Sequence, residues 1–236
     1  FSSLLGHLAD EITAKGYAML LQKVLPPMQH WFERMVAARR ADGIIVIGQS
    51  TEHKVLQAAA RTSAPFVVWG GHLRGQDYCV VGTDNVAAAR MVTEHLLRLG
   101  RKRILFLGDP ASPELKLRHE GYVQALVHGP SGTAKPVVVR AHMTLDAAHQ
   151  AMLGYLRTGR KFDAVFAATD VIAIGAMRAL ASSGISIPAQ VAVTGFDGIV
   201  MGAHVHPALT TVRQDLTRGA KLLVDPGHCV VMEEPC

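Results

Sequence analysis

The sequence predicts a doubly wound α/β fold because short apolar runs recur along the chain and helical patterns fill the gaps between them. Seven runs rich in Val, Ile, Leu and Phe follow one another at a spacing of roughly 20 to 35 residues. Each run is too short for a helix and too continuously apolar for a strand with one face in water, which is typical of parallel strands covered on both faces. Alternating strands and helices favour a layered α/β fold with right-handed crossovers.

The predicted elements follow in chain order from these runs and patterns. Strands are predicted at 43–48, 65–69, 78–81, 103–108, 136–139, 163–167 and 190–195, with a short strand-like stretch at 230–232. Helices are predicted at about 2–15, 28–40, 52–63, 85–100, 114–128, 145–157 and 171–183. In the clearest helix, Asp84 is a suitable N-cap, and an apolar stripe runs from Val86 to Leu96. Gly100 can adopt the left-handed backbone conformation that ends a helix. Residues 129–136 are predicted to form a loop.

Composition excludes intrinsic disorder and a membrane span. The 236 residues are 49% apolar and 18% charged, whereas disorder needs low hydrophobicity and high net charge. The length fits one large α/β domain or two closely joined lobes. No stretch reaches the ~18 consecutive apolar residues of a span, and the start lacks the basic region of a signal peptide. We therefore expect a cytoplasmic protein, or a fragment whose true N-terminus is missing.

Charge and cysteine patterns indicate neither a nucleic-acid surface nor a disulfide framework. The net charge of +5 is spread along the chain, and the densest basic run lies at 98–103. We interpret this run as the solvated end of a helix, where cations suit the helix dipole, because a nucleic-acid surface usually shows a concentrated stripe. The cysteines form no CxxC pair, so reduced thiols are predicted at Cys79, Cys229 and Cys236.

Both ends of the chain look incomplete for such a domain. The chain opens on a helix, whereas a doubly wound sheet builds its first crossover from a strand. Near the other end, Pro226 and Gly227 break a helix after barely two turns. We therefore expect residues to be missing at the start and near Asp225.

The motif search favours no enzyme chemistry and no cofactor. The sequence holds no GxGxxG, no GxxxxGK(S/T), no GxSxG and no HExxH, so dinucleotide, P-loop, α/β-hydrolase and zinc-protease sites have no support. His204 and His206 have metal-ligand spacing, but no cysteine is near, and the carboxylates near them in sequence are Asp197 and Asp215. A loop leading into Pro207 is the preferred interpretation. We predict no catalytic residue, no metal and no cofactor.

Polar residues at the carboxyl ends of the predicted strands indicate a ligand site. Open α/β sheets bind ligands in the crevice beyond those ends. Asp170 and Asp197 each follow a predicted strand, and the loop after the strand at 103–108 leads into a helix that carries Arg118. Any one aspartate could be a helix cap, and for Asp170 alone the cap is the simpler interpretation. Together, carboxylates and an arginine around an apolar floor suit a small polyhydroxylated or anionic ligand.

Several stretches of the sequence share the pattern of one protein family and occur in that family's order. They are 41–46 (ADGIIV), 81–89 (VGTDNVAAA), 95–104 (HLLRLGRKRI), 118–126 (RHEGYVQAL), 162–170 (FDAVFAATD) with 174–180 (IGAMRAL), 187–188 (IP) with 193–197 (VTGFD), and 207–214 (PALTTVRQ). Taken together in this order, they resemble the effector-binding core of the LacI/GalR family of bacterial transcription regulators. The resemblance covers about residues 1–224.

The resemblance implies a type I periplasmic-binding-protein-like fold. In that fold two Rossmann-like lobes with parallel sheets are joined by crossover strands, and a ligand cleft lies between them. The N-terminal lobe would take residues 1–103 with 214–229, and the C-terminal lobe 104–213 with 230–236. The family's leading strand and DNA-reading head have no counterpart here, so DNA binding would reside outside this chain.

The resemblance also implies roles for individual residues. Arg118 matches a pocket arginine that would make a forked contact to ligand hydroxyl or carboxylate oxygens, and Asp197 matches a pocket aspartate that would accept from ligand hydroxyls. Met143 lies near a position where an aromatic ring often stacks on the ligand, and a methionine lacks that flat face. Thr169 replaces an amide that is common in sugar sensors. The predicted ligand-binding residues are Arg118, Asp197, Ser112, Glu114, Met143, Thr169 and Asp170.

The function implied is effector sensing in a bacterial transcriptional repressor. A small sugar-like or anionic metabolite would favour one arrangement of the lobes and, in a homodimer, change the affinity of attached heads for operator DNA. The alternative is a periplasmic sugar-binding protein of a transporter, which has the same fold. An upstream helix-turn-helix pattern or a signal peptide would separate the two. A sugar or nucleotide hydrolase is a third hypothesis, which lacks a nucleophile–base pair and a metal cluster.

Overall fold

Two parallel β-sheets, each packed against helices, organise the computed structural model of the chain, which describes residues 2–24, 30–49, 53–62, 64–128, 135–225 and 230–232. The sheets belong to two units: unit 1 draws on residues 1–84 and 215–236, and unit 2 is 85–214. The predicted α/β class with parallel sheets is confirmed. Within the described residues, no helix has the length and apolar character needed to cross a bilayer.

Unit 1 is built on a four-stranded sheet in the order β1-β2-β3-β9, and all neighbouring pairs are parallel. Its elements are α1 (Ser2–Ala14), α2 (Trp31–Ala37), β1 (Ile44–Ile47), α3 (His53–Ala59), β2 (Phe66–Trp69), β3 (Val80–Thr83), α9 (Leu216–Val224) and β9 (Val230–Met232). Val67 and Val81 pack against the helices α1 and α9, whereas Val68 and Val80 pack against α2 and α3. Because successive strand residues point to opposite faces, both faces of this sheet are covered.

Unit 2 is built on a five-stranded parallel sheet in the order β5-β4-β6-β7-β8. Its elements are α4 (Asn85–Arg98), β4 (Ile104–Leu107), α5 (Pro113–His128), β5 (Val137–Val139), α6 (Leu145–Leu156), β6 (Ala164–Ala167), α7 (Asp170–Ser182), β7 (Ala192–Asp197), α8 (Met201–His204) and β8 (Thr210–Arg213). Strands β4 and β6 are buried along their whole length, as their apolar sequences predict. At the centre of the core, the ring of Phe106 lies 5.5 Å from that of Phe166 and 5.5 Å from that of Tyr122.

A glycine brings α4 and α5 into close contact. A Cβ atom on Gly121 of α5 would lie 2.2 Å from the carbonyl oxygen of Val86 in α4. Real Cβ atoms do not approach a backbone oxygen so closely, so only glycine fits at this crossing. The crossing of α6 and α7 repeats the arrangement, with Gly175 against the carbonyl oxygen of Leu145.

The boundaries of the two units differ from those that the resemblance implies. Helix α4 belongs to unit 2, not to the N-terminal lobe of 1–103, because it packs along α5 through Gly121. Strand β9 belongs to unit 1, not to the C-terminal lobe, because it pairs with β3 in register from Val81 to Thr83.

Individual elements differ from the sequence prediction in a few places. Strand β8 and the short helix α8 were not predicted, because neither has an apolar run or a helical stripe in its sequence. Strand β8, for example, reads Thr-Thr-Val-Arg. Helix α2 runs over Trp31–Ala37 and ends before the predicted bound of 40, and residues 28–29 of the prediction lie outside the described residues. Most of the predicted loop at 129–136, the helix break at 226–227, Cys229 and Cys236 lie outside the described residues. Cys79 forms no disulfide with another described residue.

Candidate functional site

The carboxyl ends of the five parallel strands of unit 2 lie along one edge of its sheet, which is where open α/β sheets bind ligands. At this edge, each strand ends in, or is followed by, a residue with a polar or flexible side chain. In sheet order from β5 to β8 these are Met143, Asp109, Thr169, Asp197 and Gln214. The sequence prediction rested on this rule, and the topology makes the residues neighbours along one edge.

An ion pair between Arg118 and Asp197 stands at this edge. Nη1 of Arg118, on α5, donates to Oδ1 of Asp197, at the end of β7, over 3.1 Å. The arginine side chain is 7% exposed, whereas the aspartate side chain is 26% exposed. The guanidinium is therefore buried, and its partner carboxylate remains partly open.

Three further contacts fix the guanidinium of Arg118. Nε donates to Oδ1 of Asn85 at 2.8 Å, and Nη1 also donates to the carbonyl oxygen of Ala168 at 2.6 Å. The guanidinium carbon lies 3.7 Å from the ring centroid of Phe196, in a cation–π contact. Because Nε, Nη1 and the face of the guanidinium are engaged, the side chain is held in one orientation before any ligand arrives.

The turn that carries Asp197 is held in an uncommon backbone conformation. Asp197 has a φ of 123° and Gly198 a φ of 72°, and a non-glycine residue in this region is strained. The buried carboxylate of Asp170 holds the turn, because it accepts from the backbone N–H of Ile199 at 2.8 Å and from the hydroxyl of Thr211. Strain of this kind concentrates at functional sites, where the surroundings over-determine it.

Burial raises the pKa of both aspartates at this edge. For Asp197, burial is the largest cause, the positive charge of Arg118 opposes it, and the negative charge of Asp170 adds to it. For Asp170, burial raises the pKa, and the hydrogen bonds from Thr211 and from the backbone of the turn oppose it. The site thus offers a carboxylate acceptor beside a fixed cation, a combination that can bind hydroxyl groups and oxygen anions.

The structure distributes the predicted site residues between the edge and the layer behind it. Asp170 is fully buried, so its carboxylate supports the turn of Asp197 from behind. Thr169 is 6% exposed, and its hydroxyl accepts from the backbone N–H of Ile172. The N-cap of α7 is therefore Thr169, and the expectation that Asp170 caps this helix was wrong by one residue.

The remaining predicted residues are less buried than Arg118. Ser112 and Glu114 are half-buried at the start of α5, and Glu114 stands one helical turn before Arg118. Met143 is 55% exposed in the turn after β5. Within the described residues, no hydrogen bond or ion pair joins Ser112 or Met143 to the Arg118–Asp197 pair.

The sequence analysis missed two polar residues that contact the pair. Asn85 accepts from Arg118, and Nε2 of Gln214 donates to Oδ1 of Asp197 at 2.8 Å. Gln214 follows the carboxyl end of β8, so the rule that indicated Asp197 would have found it. Because β8 is no apolar run, its sequence did not predict a strand end at this position. Nothing in the sequence around Asn85 distinguishes it from an ordinary first residue of a helix.

Unit 1 has a separate polar cluster at the carboxyl ends of β1 and β2. Gln49 is fully buried, with Nε2 donating to the hydroxyl of Tyr78 at 3.0 Å and Oε1 accepting from the backbone N–H of Gly71 at 3.1 Å. The same hydroxyl lies 2.8 Å from Nδ1 of His53. In the part of the chain that the structure describes, no group of three or more His, Cys, Asp and Glu side chains is placed to hold a metal ion.

Comparison with known proteins gives the family. Residues 93–225 match the family model of the periplasmic binding protein-like domain. A solved structure from Sanguibacter keddieii, assigned to the LacI family of transcriptional regulators, is 32% identical to this chain. It superposes with a TM-score of 0.79, covering 96% of this chain and 82% of that one. The chain belongs to the LacI family.

Other LacI-type regulators show how much of such a protein this chain spans. The HTH-type transcriptional regulator CelR of Thermobifida fusca is 28% identical over 225 residues, which are 91% of this chain and 65% of CelR. This LacI-family chain thus spans slightly less than two thirds of that relative. A solved CelR–cellobiose complex has the same fold, with a TM-score of 0.83 at 24% identity, covering 99% of this chain and 75% of that one.

Proposed function

We propose that this chain is the effector-binding part of a bacterial transcriptional repressor, in which a small sugar-like or anionic metabolite controls DNA binding by a head outside the chain. The observation that carries the proposal is the Arg118–Asp197 pair at the carboxyl edge of unit 2, where a partly open carboxylate lies beside a fixed guanidinium. The LacI-family relatives are named as transcriptional regulators, and the CelR complex contains cellobiose.

In this proposal the two charged residues recognise different parts of one ligand. Asp197 accepts hydrogen bonds from ligand hydroxyls, and Arg118 donates to a hydroxyl or anionic oxygen. Ser112, Glu114 and Met143 complete the wall on the open side, and Met143 provides contact without a flat stacking face. Thr169 and Asp170 act from behind, by capping α7 and by holding the turn of Asp197.

The regulation we propose is a shift between conformations. A ligand that binds one conformation more tightly than another raises its population by that difference in affinity, and the attached DNA-binding heads of a homodimer gain or lose operator affinity. This function requires no catalytic group, so we propose that the chain is not an enzyme. A regulator of this kind works in the cytoplasm, as the sequence led us to expect.

A ligand screen tests the proposal directly. The chain is melted in the presence of sugars, sugar acids and purines, and the compounds that raise the melting temperature are measured by calorimetry. We expect Asp197→Asn to weaken a hydroxyl-rich ligand by about 1–3 kcal/mol, since a buried polar group loses its partner. Asp146→Asn is the matched control, because the side chain of Asp146 is 93% exposed and its ion pair with Arg178 is long, at 3.9 Å.

The outcomes separate the hypotheses. If Asp197→Asn binds the ligand as tightly as the unchanged chain, the pair is not the binding site. If a bound sugar derivative is turned over, the chain is an enzyme and the proposal is wrong. A signal peptide upstream in the reading frame, in place of a helix-turn-helix pattern, would assign the chain to transport.

A further inference from the structure

The amino edge of the unit 2 sheet, opposite the Arg118–Asp197 pair, concentrates positive charge. Four connections reach this edge, each running from the end of a helix to the start of a strand: α4 to β4, α5 to β5, α6 to β6 and α7 to β7. With the last helical residue of α4, they contain eight basic residues and one acidic residue, Asp163. The basic residues are Arg98, Arg101, Lys102, Arg103, Lys135, Arg157, Arg160 and Lys161.

Two basic runs that are distant in sequence meet at this edge. The runs are 98–103, before β4, and 157–161, before β6, and these two strands are parallel neighbours. Asp163 joins them, because its carboxylate accepts from the backbone N–H groups of Lys102 at 3.1 Å and Arg103 at 2.8 Å. Its own backbone N–H donates to the carbonyl oxygen of Arg103 at 3.1 Å. The sequence alone showed only the first run and gave no sign of this meeting.

Among the described residues, most of these cations have no acidic neighbour. Arg101 is engaged locally, because its guanidinium donates to the carbonyl oxygen of Pro188 at 2.6 Å, and Arg103 lies 3.8 Å from Asp163. The others are exposed, and no acidic side chain of the described residues lies within ion-pair distance of them. We call the exposed set the basic face: Arg98, Lys102, Arg103, Lys135, Arg157, Arg160 and Lys161.

Helix dipoles account for only part of this charge. The carboxyl terminus of a helix carries about half a negative charge, so the four helices that end here supply about two. The connections carry a net of seven positive charges. Roughly five positive charges therefore exceed what the helix ends neutralise, and a local excess of this size creates an attractive field for a polyanion.

We propose that the basic face binds the phosphate backbone of a nucleic-acid duplex. Four of its seven members are arginines, and the guanidinium fork matches phosphate oxygens. Single strands are bound by stacking on exposed aromatic rings, but the one aromatic side chain in these connections, Phe162, is half-buried and packs against Tyr155 at 5.5 Å. An acidic protein partner would need apolar anchors, and among the described residues of this edge only Leu99 and Val127 are large, apolar and exposed.

This inference goes beyond the proposed function, since it gives the chain a nucleic-acid contact of its own, apart from any head. The contact is independent of sequence, because phosphates carry no base identity. It lies at the opposite edge of the sheet from the ligand site, so ligand and duplex can bind together. Failure of the ligand screen would therefore not affect this test.

The test measures anisotropy of a fluorescent random-sequence DNA duplex of about 20 base pairs, titrated with the whole chain at about 50 to 200 mM salt. Two double variants probe the two runs: Arg160→Glu with Lys161→Glu, and Arg98→Glu with Lys102→Glu. The control is Arg39→Glu with Arg40→Glu, an exposed adjacent pair in unit 1 that makes the same change in net charge. Circular dichroism and melting temperature confirm that each variant is folded.

We expect the unchanged chain to bind with a micromolar dissociation constant at the lower salt, and each double variant of the basic face to bind about tenfold or more weakly. The slope of log affinity against log salt should fall by about 2 in each, since about one counterion is released per phosphate contact. The control should bind within about twofold of the unchanged chain. No binding at low salt, or an equal loss in the control, would overturn the proposal. Displacement of the duplex by polyglutamate at equal charge would assign the face to an acidic protein instead.

Discussion

Replacement of Arg118 by methionine measures how far the buried ion pair stabilises the carboxyl edge of unit 2. The methionine side chain fills similar space but removes the cation over Phe196 and the donors to Asn85, Ala168 and Asp197. Removing one partner of a buried pair leaves the other charge uncompensated, which typically costs 3–5 kcal/mol. We therefore expect Arg118→Met to lower the free energy of unfolding by about 3–5 kcal/mol at neutral pH.

The pH dependence of this loss identifies its cause. Burial raises the pKa of Asp197 above its ordinary value of 3.8, and the charge of Arg118 opposes this shift. Removal of Arg118 should therefore raise the pKa of Asp197 further. A carboxyl group with a raised pKa in the folded state binds its proton more tightly when folded than when unfolded. Stability is therefore gained as the pH falls through the folded-state pKa and lost as it rises. The deficit of Arg118→Met should shrink between neutral pH and the acidic range.

A second substitution gives the decisive comparison. Asp197→Asn removes the charge and keeps a side chain that tolerates positive φ. The double variant with Arg118→Met should therefore be more stable at neutral pH than Arg118→Met alone, by about 1–3 kcal/mol. Urea denaturation followed by circular dichroism measures all three variants. A loss below about 1 kcal/mol in Arg118→Met, or a double variant whose loss equals the sum of the single losses, would refute the reasoning.

Three further outcomes are expected from the same structure. Asp170→Asn should cost about 1–3 kcal/mol by melting, because an amide offers one acceptor where the carboxylate serves two donors. Gly121→Val should cost at least about 2 kcal/mol, since its side chain would enter the backbone of α4, whereas Gly6→Ala should gain about 0.5–1 kcal/mol, because a Cβ there meets nothing within 4 Å. His119 has a buried Nε2 without a partner in the described residues, and burial lowers its pKa. Stability should therefore fall as the pH drops below 6.5, and His119→Phe should flatten that dependence in a melting series.

Each of these outcomes has a contrary result. Wild-type stability in Asp170→Asn would mean that the turn of Asp197 is held by other contacts. An unchanged melting temperature in Gly121→Val would show that α4 and α5 do not cross as closely as described. A His119→Phe variant with the same acid dependence as the unchanged chain would assign that dependence to other groups.

The parts of the fold that the sequence predicts are those where burial leaves an apolar run. Strands β4 and β6 are covered on both faces, and their continuous apolar sequences identified them. Strand β8 lies at an edge of its sheet with two exposed residues, so its polar sequence gave no signal. The boundaries of the units depend on long-range contacts, such as the pairing of β9 with β3, which no local pattern encodes.

The residues of the candidate site likewise divide into those that the sequence predicts and those that only long-range contacts reveal. Asp197 and Arg118 could be predicted because strand ends and family resemblance both indicated them. The supporting role of Asp170 could not, because it depends on a hydrogen bond to Ile199, 29 residues away, and on full burial of the carboxylate. Gln214 was missed because the strand that presents it was missed. Local sequence thus indicated which residues are charged at the edge, and tertiary contacts determine which of them face outward.

The pairing of β9 with β3 makes the two units unequal during synthesis. Unit 2 is one continuous segment, whereas unit 1 is completed by a strand translated after all of unit 2. Unit 2 is therefore able to fold as soon as it leaves the ribosome, while the outer edge of β3 waits, unpaired, for its partner. A bare strand edge invites pairing with other chains, so the nascent protein is most prone to aggregate in this interval. Substitutions that slow unit 2 would lengthen the interval, and their cost would appear as lost yield before any loss of ligand binding.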